Sequence, residues 1–344
     1  MTIDLSGGLD AAKEFVLAER PEVAAMRDAV NVWIEDDNGA FGMRIGIEAV
    51  AEEWDAHDVW LDIAFADGRV LSQRGAFKTL PAIDPQGQPS IRATEVLRFQ
   101  CIKPFAVWTT HYRGPADETT AAELIQNPVL QVSVSTDVEF EIAMSMAVPP
   151  WEPGSLLEEA RAALMGEQGE FMSPRYEQLF RAKGWLQTGG ERREFSGCGL
   201  RIRRQGVRKF AGFSGHCWQS AIFPSGKAFG FNVYPPRSDG IASYNEGFIF
   251  DGNTVIPARA VSIPWLRNLQ TGGDDVSFVL ETVAGDRVSI NGETFINCRS
   301  RGHTVLPPGF PIVQQAHARY RWDGEQTVGM IERSSMPELV SGEN

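Results

Sequence analysis

Short runs of alternating apolar and polar residues, separated by turn-forming residues, fill most of this chain. A turn at residues 36–39 joins residues 32–34 to residues 41–50, and the second half has glycine-bearing turns at residues 224–226, 251–253, 284–286, 291–292 and 323–324. Successive side chains of a strand point to opposite faces, so this pattern predicts consecutive antiparallel hairpins. Hairpins in sequence order without long helices between them are typical of up-and-down barrels or sandwiches.

Three segments break the alternation and predict helix. Residues 10–30 are rich in Ala and Glu, residues 155–165 begin with Ser155 as N-cap, and residues 174–183 end at Gly184. The predicted fold is mainly β, with two antiparallel barrels in tandem. We expect residues 1–30 to form an N-terminal helical segment, 31–150 the first barrel, 151–185 a helical linker and 186–344 the second barrel. A dinucleotide-binding α/β fold is excluded because the βαβ spacing is absent.

The charge of the chain limits its partners. The 344 residues carry a net charge of −13, which argues against nucleic-acid binding because phosphate recognition needs clustered Lys and Arg. The charge is uneven, since residues 1–170 hold 12 basic and 29 acidic side chains while residues 171–344 hold 20 and 16. This split indicates two units with different surfaces, or an acidic first half onto which the second half docks.

Several absences bear on localisation and cofactors. Four scattered cysteines form no CxxC pair, so neither a sulfur-ligated metal nor a disulfide framework is expected. The N-terminus has no secretory pattern and no run approaches ~18 apolar residues, so we expect a cytoplasmic protein without a membrane span. Motifs for nucleotide binding, zinc hydrolysis and serine hydrolysis are absent, so we expect no cofactor and no metal.

Residues 215–220 form the sharpest cluster of candidate chemistry. On a strand, His216, Trp218 and Ser220 share one face, which sets an imidazole beside a large aromatic surface. If that face lines a barrel lumen, it offers an apolar ligand one group that titrates near neutral pH. A histidine hydrogen-bonded beside a core tryptophan would produce the same pattern.

Two glutamates join His216 as candidate catalytic groups. Glu246 shares a strand face with Tyr244 and Phe248, and burial among aromatic rings would raise its pKa and suit it to general-acid work. Glu332 interrupts the apolar face of the last strand. The structural alternatives are that Glu246 lies on the outer side of an edge hairpin, and that Glu332 pairs with an arginine across the barrel.

Aromatic, amide and basic side chains complete the candidate ligand site. The residues expected to contact the ligand are Trp218, Tyr234, Tyr244, Trp322, Gln315, His317 and Arg201. The aromatic rings would shape an apolar substrate and stabilise developing positive charge. Arg201 and Arg203 share a strand face and would bind a carboxylate or phosphate, unless that face is solvated or contacts the other domain.

The second half of the chain resembles a known family. The resemblance rests on residues 197–208, on His216-Cys217-Trp218, and on the closing residues 320–324 and 329–332. They are similar to the second domain of tandem lipocalin-like proteins, a family that includes carotenoid 1,2-hydratases (hydroxyneurosporene synthases) and, more distantly, fungal Diels–Alderases that form decalin rings. The resemblance implies two lipocalin-like barrels and is only architectural over residues 30–150.

One stretch departs from the family pattern. Relatives carry an Arg-Asp-His-Ser-Trp-Gly-x-Arg pattern, of which this chain keeps Arg201, Gly206 and Arg208 but neither the Asp nor the His. If those groups do acid–base work in relatives, this protein either uses others, such as His216 or Glu332, or has a different activity.

The expected function follows from the residues and the resemblance together. We expect binding of a hydrophobic or aromatic small molecule, of terpenoid or polyketide type, and cofactor-free hydration, isomerisation or cyclisation by acid–base chemistry. The alternative is a non-catalytic carrier or sensor of apolar ligands. A third hypothesis is a purely structural protein partner whose barrel cavity is filled by side chains. The oligomeric state is not predicted.

Overall fold

The computed structural model describes residues 3–129, 134–210, 212–300 and 309–341, and antiparallel strands dominate it. Ten strands form the first sheet: β1 (Met26–Asp36), β2 (Phe41–Val50), β3 (Ala56–Phe65), β4 (Arg69–Lys78), β5 (Ile91–Ala93), β6 (Leu97–Lys103), β7 (Val107–Thr120), β8 (Ser135–Met146), β9 (Arg175–Thr188) and β10 (Glu191–Val207). Pairing of β4 with β7 closes eight of them into a ring in the order β4-β3-β2-β1-β10-β9-β8-β7. This ring is the first barrel.

Eight further strands form a closed second barrel. They are β11 (Gly215–Ile222), β12 (Ala228–Val233), β13 (Asn245–Phe250), β14 (Val255–Ser262), β15 (Phe278–Thr282), β16 (Arg287–Arg299), β17 (Ile312–Trp322) and β18 (Glu325–Ser335). Four of the five predicted turns join consecutive strands here. The fifth was wrong, because Asn291 and Gly292 lie inside β16, where the missing Cβ of Gly292 leaves room for the ring of Tyr320.

The first barrel extends further along the chain than the sequence predicts. β9 pairs with β8 and β10 pairs with β1, so the predicted boundary near residue 185 falls inside β9, and both β9 and β10 belong to the first sheet. Residues 174–183, predicted as helix, lie mainly in β9. Local residue preferences do not reveal this arrangement, because the pairing joins residues as distant in the chain as Met26 and Val207. The second barrel begins at Gly215.

Helices are few and short. They are α1 (Ala121–Gln126), α2 (Glu158–Ala163) and α3 (Glu167–Met172), with 3-10 turns at Ala11–Glu14, Ala51–Glu53 and Pro337–Leu339. α2 and α3 lie within the predicted linker. Across the ranges that the structure describes, no helix combines the length and apolar character that crossing a membrane requires.

The predicted N-terminal helix is replaced by the single turn Ala11–Glu14, and β1 already begins at Met26. The fully buried Glu14 side chain explains the difference. Its carboxylate accepts hydrogen bonds from the Phe105 backbone N–H (3.1 Å) and the Arg201 guanidinium (2.6 Å), and also from the side chains of Trp108 and Tyr176. These contacts tie the segment to the interior of the first barrel and outweigh the helix propensity of its alanines.

Apolar side chains pack in three main places. One cluster fills the first barrel around Ile45 and Phe140. A second fills the second barrel, where the Phe278 ring centroid lies 4.8 Å from those of both Phe229 and Phe231. The third lies between the barrels and includes Trp33, Leu200, Trp218 and Met330. The outer faces of the two barrels therefore form a shared core.

Candidate active site

A cavity of about 710 Å³ lies between the two barrels. Side chains of the first barrel that line it include Trp33, Arg44 and Trp60, and those of the second barrel include His216, Trp218, Gln315 and Glu332. Its volume lies in the range of small-molecule sites, which are typically ~300–1,000 Å³. Four of the residues predicted from the sequence thus meet in one place.

Strand alternation decides which side chains reach this cavity. In β11, Cys217 and Ala221 point into the aromatic core of the second barrel, so His216 and Trp218 point outward to the first barrel. The two residues therefore line the cavity between the barrels and not the lumen of the second barrel. The outward face is buried because the first barrel covers it.

His216 and Glu332 form a buried pair at the cavity wall. Nε2 of His216 lies 3.2 Å from Oε1 of Glu332, and Nδ1 of His216 lies 2.6 Å from Oγ of Ser334. The Gln315 side-chain amide donates to the other carboxylate oxygen of Glu332 at 2.9 Å. Both imidazole nitrogens therefore have partners, which orients the ring, and both His216 and Glu332 line the cavity.

The neighbours of Glu332 determine its charge state. Burial alone would raise its pKa, but the hydrogen bond from His216 and the charge of Arg44 lower it to about 2. Glu332 is therefore a carboxylate at neutral pH and does not itself donate a proton. An arginine does face it across the barrels, since Nε of Arg44 lies 3.9 Å from Oε2 of Glu332.

Arg44 is held between two tryptophan rings. Its Cζ atom lies 5.4 Å from the ring centroids of both Trp33 and Trp60, which suits a cation–π contact. Gly46, two residues along β2, makes this possible because a Cβ there would overlap the Trp60 ring and the Asn31 side chain. The site thus presents a fixed positive charge framed by aromatic surface.

The cavity also has a second basic region that sequence reasoning missed. Arg204 and Arg208, near the end of β10, line it together with Arg27 and Arg175. In the position of the family's Asp-His-Ser, this chain has Ile202, Arg203 and Arg204, of which Ile202 and Arg204 line the cavity. Arg203 instead binds the Asp28 carboxylate inside the first barrel.

One signal in the sequence could have located the first-barrel wall. Along β2, the apolar residues Phe41, Met43, Ile45 and Ile47 alternate with Gly42, Arg44, Gly46 and Glu48. Glycines repeated on one face of a strand indicate that another element approaches that face closely. In the structure this face of β2 contacts the second barrel. Trp33 and Trp60, by contrast, carry no local signal that separates them from core tryptophans.

Glu246 lies away from the cavity and holds the linker. Its fully buried carboxylate accepts hydrogen bonds from the Trp151 indole N–H (2.9 Å) and the backbone N–H groups of Gly154 (2.6 Å), Leu156 and Leu157 (both 2.8 Å). This carboxylate therefore binds three backbone N–H groups of one segment. The geometry therefore assigns Glu246 to anchoring the segment that joins β8 to β9.

His317 and Arg201 also have structural partners. Nδ1 of His317 lies 2.6 Å from Oε2 of Glu35 on β1, so this residue connects the two barrels. Arg201, fully buried in the first barrel, donates to Glu14 and to Gln178 (3.0 Å) and so contacts neither the cavity nor solvent. Arg201 therefore lies outside the candidate cavity, because Arg204 rather than Arg201 shares the outward face of β10.

The remaining predicted residues lie around or outside the cavity. Tyr234 and Tyr244 pack against each other with centroids 5.5 Å apart behind its wall, and burial raises the pKa of Tyr234 to about 12. Trp322 packs on Phe223 away from the cavity. Within the described ranges, no three His, Cys, Asp or Glu side chains cluster in a way that would hold a metal ion.

Comparison with known proteins defines the class of fold. A Nitrosomonas europaea crystal structure, provisionally described as AttH, aligns with a TM-score of 0.54 and 12% identity over 90% of this chain and 92% of the other. The crystal structure of CghA with Sch210972 aligns with a TM-score of 0.52 and 10% identity over 96% of this chain and 97% of CghA. Kievitone hydratase from Nectria haematococca aligns at 0.46 and 9% identity over 95% and 93%.

The first two of these alignments extend over both barrels and confirm the resemblance at the level of the tandem-barrel fold. Residues 28–337 match the family described as a domain of unknown function (DUF7064), and the chain belongs to that family. A comparison with curated protein sequences gives no match.

Proposed function

We propose that this protein binds an apolar or aromatic small molecule in the cavity between its barrels and performs cofactor-free acid–base chemistry on it. The observation that carries the proposal is the buried His216–Glu332 pair in the wall of a cavity that also exposes three tryptophans. Buried titratable pairs inside large apolar cavities are characteristic of reaction centres.

In this proposal His216 is the group that transfers the proton. Glu332, held as a carboxylate, stabilises the imidazolium form, and Ser334 fixes the ring through Nδ1. Protonation of an alkene or carbonyl would generate positive charge beside the Trp33 and Trp218 rings, whose faces favour cations. Arg44 would hold an oxygen that gains negative charge. Hydration, isomerisation and cyclisation all begin with such a step.

The fold supports the choice of an organic ligand. CghA, which shares the tandem-barrel fold, was crystallised with Sch210972. The interior of the second barrel, in contrast, is occupied by rings such as Phe229 and Phe278. The second candidate function is a non-catalytic carrier, because the aromatic walls of the cavity are sufficient to bind an apolar ligand without any reaction.

Turnover in deuterated water tests the proposal. An apolar extract of the cells that make this protein is incubated in D2O buffer with wild type, Glu332→Gln or His216→Gln, and analysed by mass spectrometry. We expect wild type to convert at least one compound into a product that carries deuterium on carbon, and both variants to do so at least about 100-fold more slowly.

Glu325→Gln serves as the matched control, because Glu325 lies on the same strand as Glu332 but outside the cavity lining. It is expected to retain wild-type turnover. Equal turnover by Glu332→Gln would remove the acid–base role of the pair. Conversion of no compound, combined with retention of an apolar compound by the purified protein, would establish the carrier function instead.

A further inference from the structure

Arg204 is a buried cation that has no partner among the described residues. Its side chain is only 2% exposed and lines the cavity, yet it makes no hydrogen bond or ion pair with any residue in the described part of the chain. The neighbouring arginines of β10 differ, because Arg201 and Arg203 are neutralised by Glu14 and Asp28. Buried charges are costly unless they are paired, so an unpaired one facing a cavity indicates a missing anion.

The surroundings of Arg204 carry excess positive charge. Arg208, Arg175 and Arg27 lie near enough to disfavour its charged form, and only Glu48 among its main electrostatic neighbours favours it. Glu48 is already bonded to Arg27, and Arg175 to Glu177 at 2.5 Å. Within the described ranges, neither Arg204 nor Arg208 forms an ion pair with a carboxylate, and Glu48 reaches both only at longer range.

Arg208 has an aromatic setting instead of an ionic one. Its Cζ atom lies 4.3 Å from the Phe171 ring centroid and 5.0 Å from that of Phe210, and its Nε donates to the Phe171 backbone carbonyl at 3.1 Å. The stacking orients the guanidinium and leaves its other N–H groups without partners among the described residues. Arg208, oriented by these rings, and the buried Arg204, whose charge it disfavours at close range, together form a receptor for an oxyanion.

Strand register separates the backbone level of Arg204 from that of Arg44, the arginine that faces Glu332. Across β2, β1 and β10, Arg44 is level with Trp33 and Leu200, whereas Glu48 is level with Ala29 and Arg204. Four residues of strand correspond to about 13 Å. Asn31, Ile202 and Trp60 line the cavity between these levels.

We propose that Arg204 and Arg208 bind an oxyanion, a carboxylate or a phosphate, at one end of an otherwise apolar ligand whose reacting group lies at His216 and Glu332. This inference rests on the proposed function only in that it requires an apolar molecule in the same cavity. It specifies the substrate class as amphipathic anions.

Two fluorescent probes of the same shape test the inference. Anilinonaphthalene sulfonate carries an oxyanion, and N-phenyl-1-naphthylamine is its neutral counterpart. We expect both to bind wild type, and Arg204→Gln and Arg208→Gln each to weaken sulfonate binding about tenfold while changing the affinity for the neutral probe less than twofold. Arg299→Gln is the control, since Arg299 also lines the cavity but donates to the Ile125 backbone carbonyl.

The neutral probe also reports whether each variant is folded. If Arg204→Gln fails to bind it, Arg208→Gln alone decides the result. An unchanged ratio of the two affinities in the folded arginine variants would overturn the inference. Failure of wild type to bind either probe would instead contradict the cavity proposed under the function above.

Competition for the bound neutral probe identifies the anion. Decanoate and decyl phosphate are each expected to displace it from wild type at lower concentration than decanol, and the tighter of the two reveals whether a carboxylate or a phosphate is preferred. The advantage over decanol is expected to disappear in Arg204→Gln. If decanol competes as well as both anions in wild type, no oxyanion site exists.

Discussion

Gly42 of β2 lies directly against the imidazole of His317 on β17. A Cβ built on Gly42 would overlap Nδ1, Cε1 and Cγ of that ring. The glycine therefore allows His317 to cross from the second barrel into the first and to reach Glu35, whose Oε2 lies 2.6 Å from Nδ1. This contact connects the two barrels.

Gly42→Ala is expected to destabilise the protein by about 1–3 kcal/mol, because either the His317 ring or β2 must shift. Urea unfolding measures the effect. Gly166→Ala is the control, since its Cβ would meet no other atom and its φ is −108°. Equal stability of the two variants would show that the Gly42 contact is looser than described.

Glu246→Gln is expected to lower the free energy of unfolding by about 2–5 kcal/mol. A glutamine amide would direct a donor toward groups that are themselves donors, including the Gly154 and Leu156 backbone N–H groups. Urea unfolding checks this, with the exposed Glu293→Gln as control. Loss of turnover without loss of stability would instead make Glu246 part of the reaction centre, as the sequence alone predicts.

Glu332 should make the protein sensitive to acid. Its folded-state pKa of about 2 lies below the ordinary value of 4.5, so its stabilising contribution is fully present above pH 4.5 and is lost as the pH falls toward 2. Between pH 5.5 and 3 wild type should lose about 2 kcal/mol more stability than Glu332→Gln. Urea titrations of both proteins across this range measure the difference, and parallel curves would contradict the ionised pair.

The cysteines should be unreactive in the folded protein. Cys101, Cys198, Cys217 and Cys298 are all free and buried. Burial raises the pKa of Cys198 to about 12 and that of Cys217 to about 11, so few thiolates exist at pH 8. A thiol reagent such as dithionitrobenzoate should label none of the four rapidly in native protein and all four in urea. Rapid native labelling would reveal local opening.

The hairpins of the second barrel were predictable because each is local. The turn at Asp323-Gly324, for example, joins β17 to β18 within two residues. The closure of the first barrel was not, since the pairing of Trp33 with Leu200 leaves no local trace. The helix predicted for the Ala-rich N-terminus was wrong for a related reason. The hydrogen-bond partners of Glu14 come from distant parts of the chain and cannot be identified from local residue preferences.

The site was only partly predictable, because alternation along a strand is local whereas the element that covers a strand face is distant in the chain. Alternation showed that His216 and Trp218 share a face, but it does not say which face of a strand is inside a barrel. That depends on what covers the outside, and here the cover is the first barrel with Trp33 and Arg44. From the sequence, Arg201 was named as the ligand contact. In the structure Arg204 lines the cavity, whereas Arg201 is paired with Glu14 inside the first barrel.

The most direct test of the account is a crystal structure with anilinonaphthalene sulfonate bound. We predict density for the naphthalene rings between the barrels, against Trp60 and Trp218, with the sulfonate at Arg204. Density inside the second barrel among Phe229 and Phe278, with the cavity between the barrels filled only by water, would contradict it.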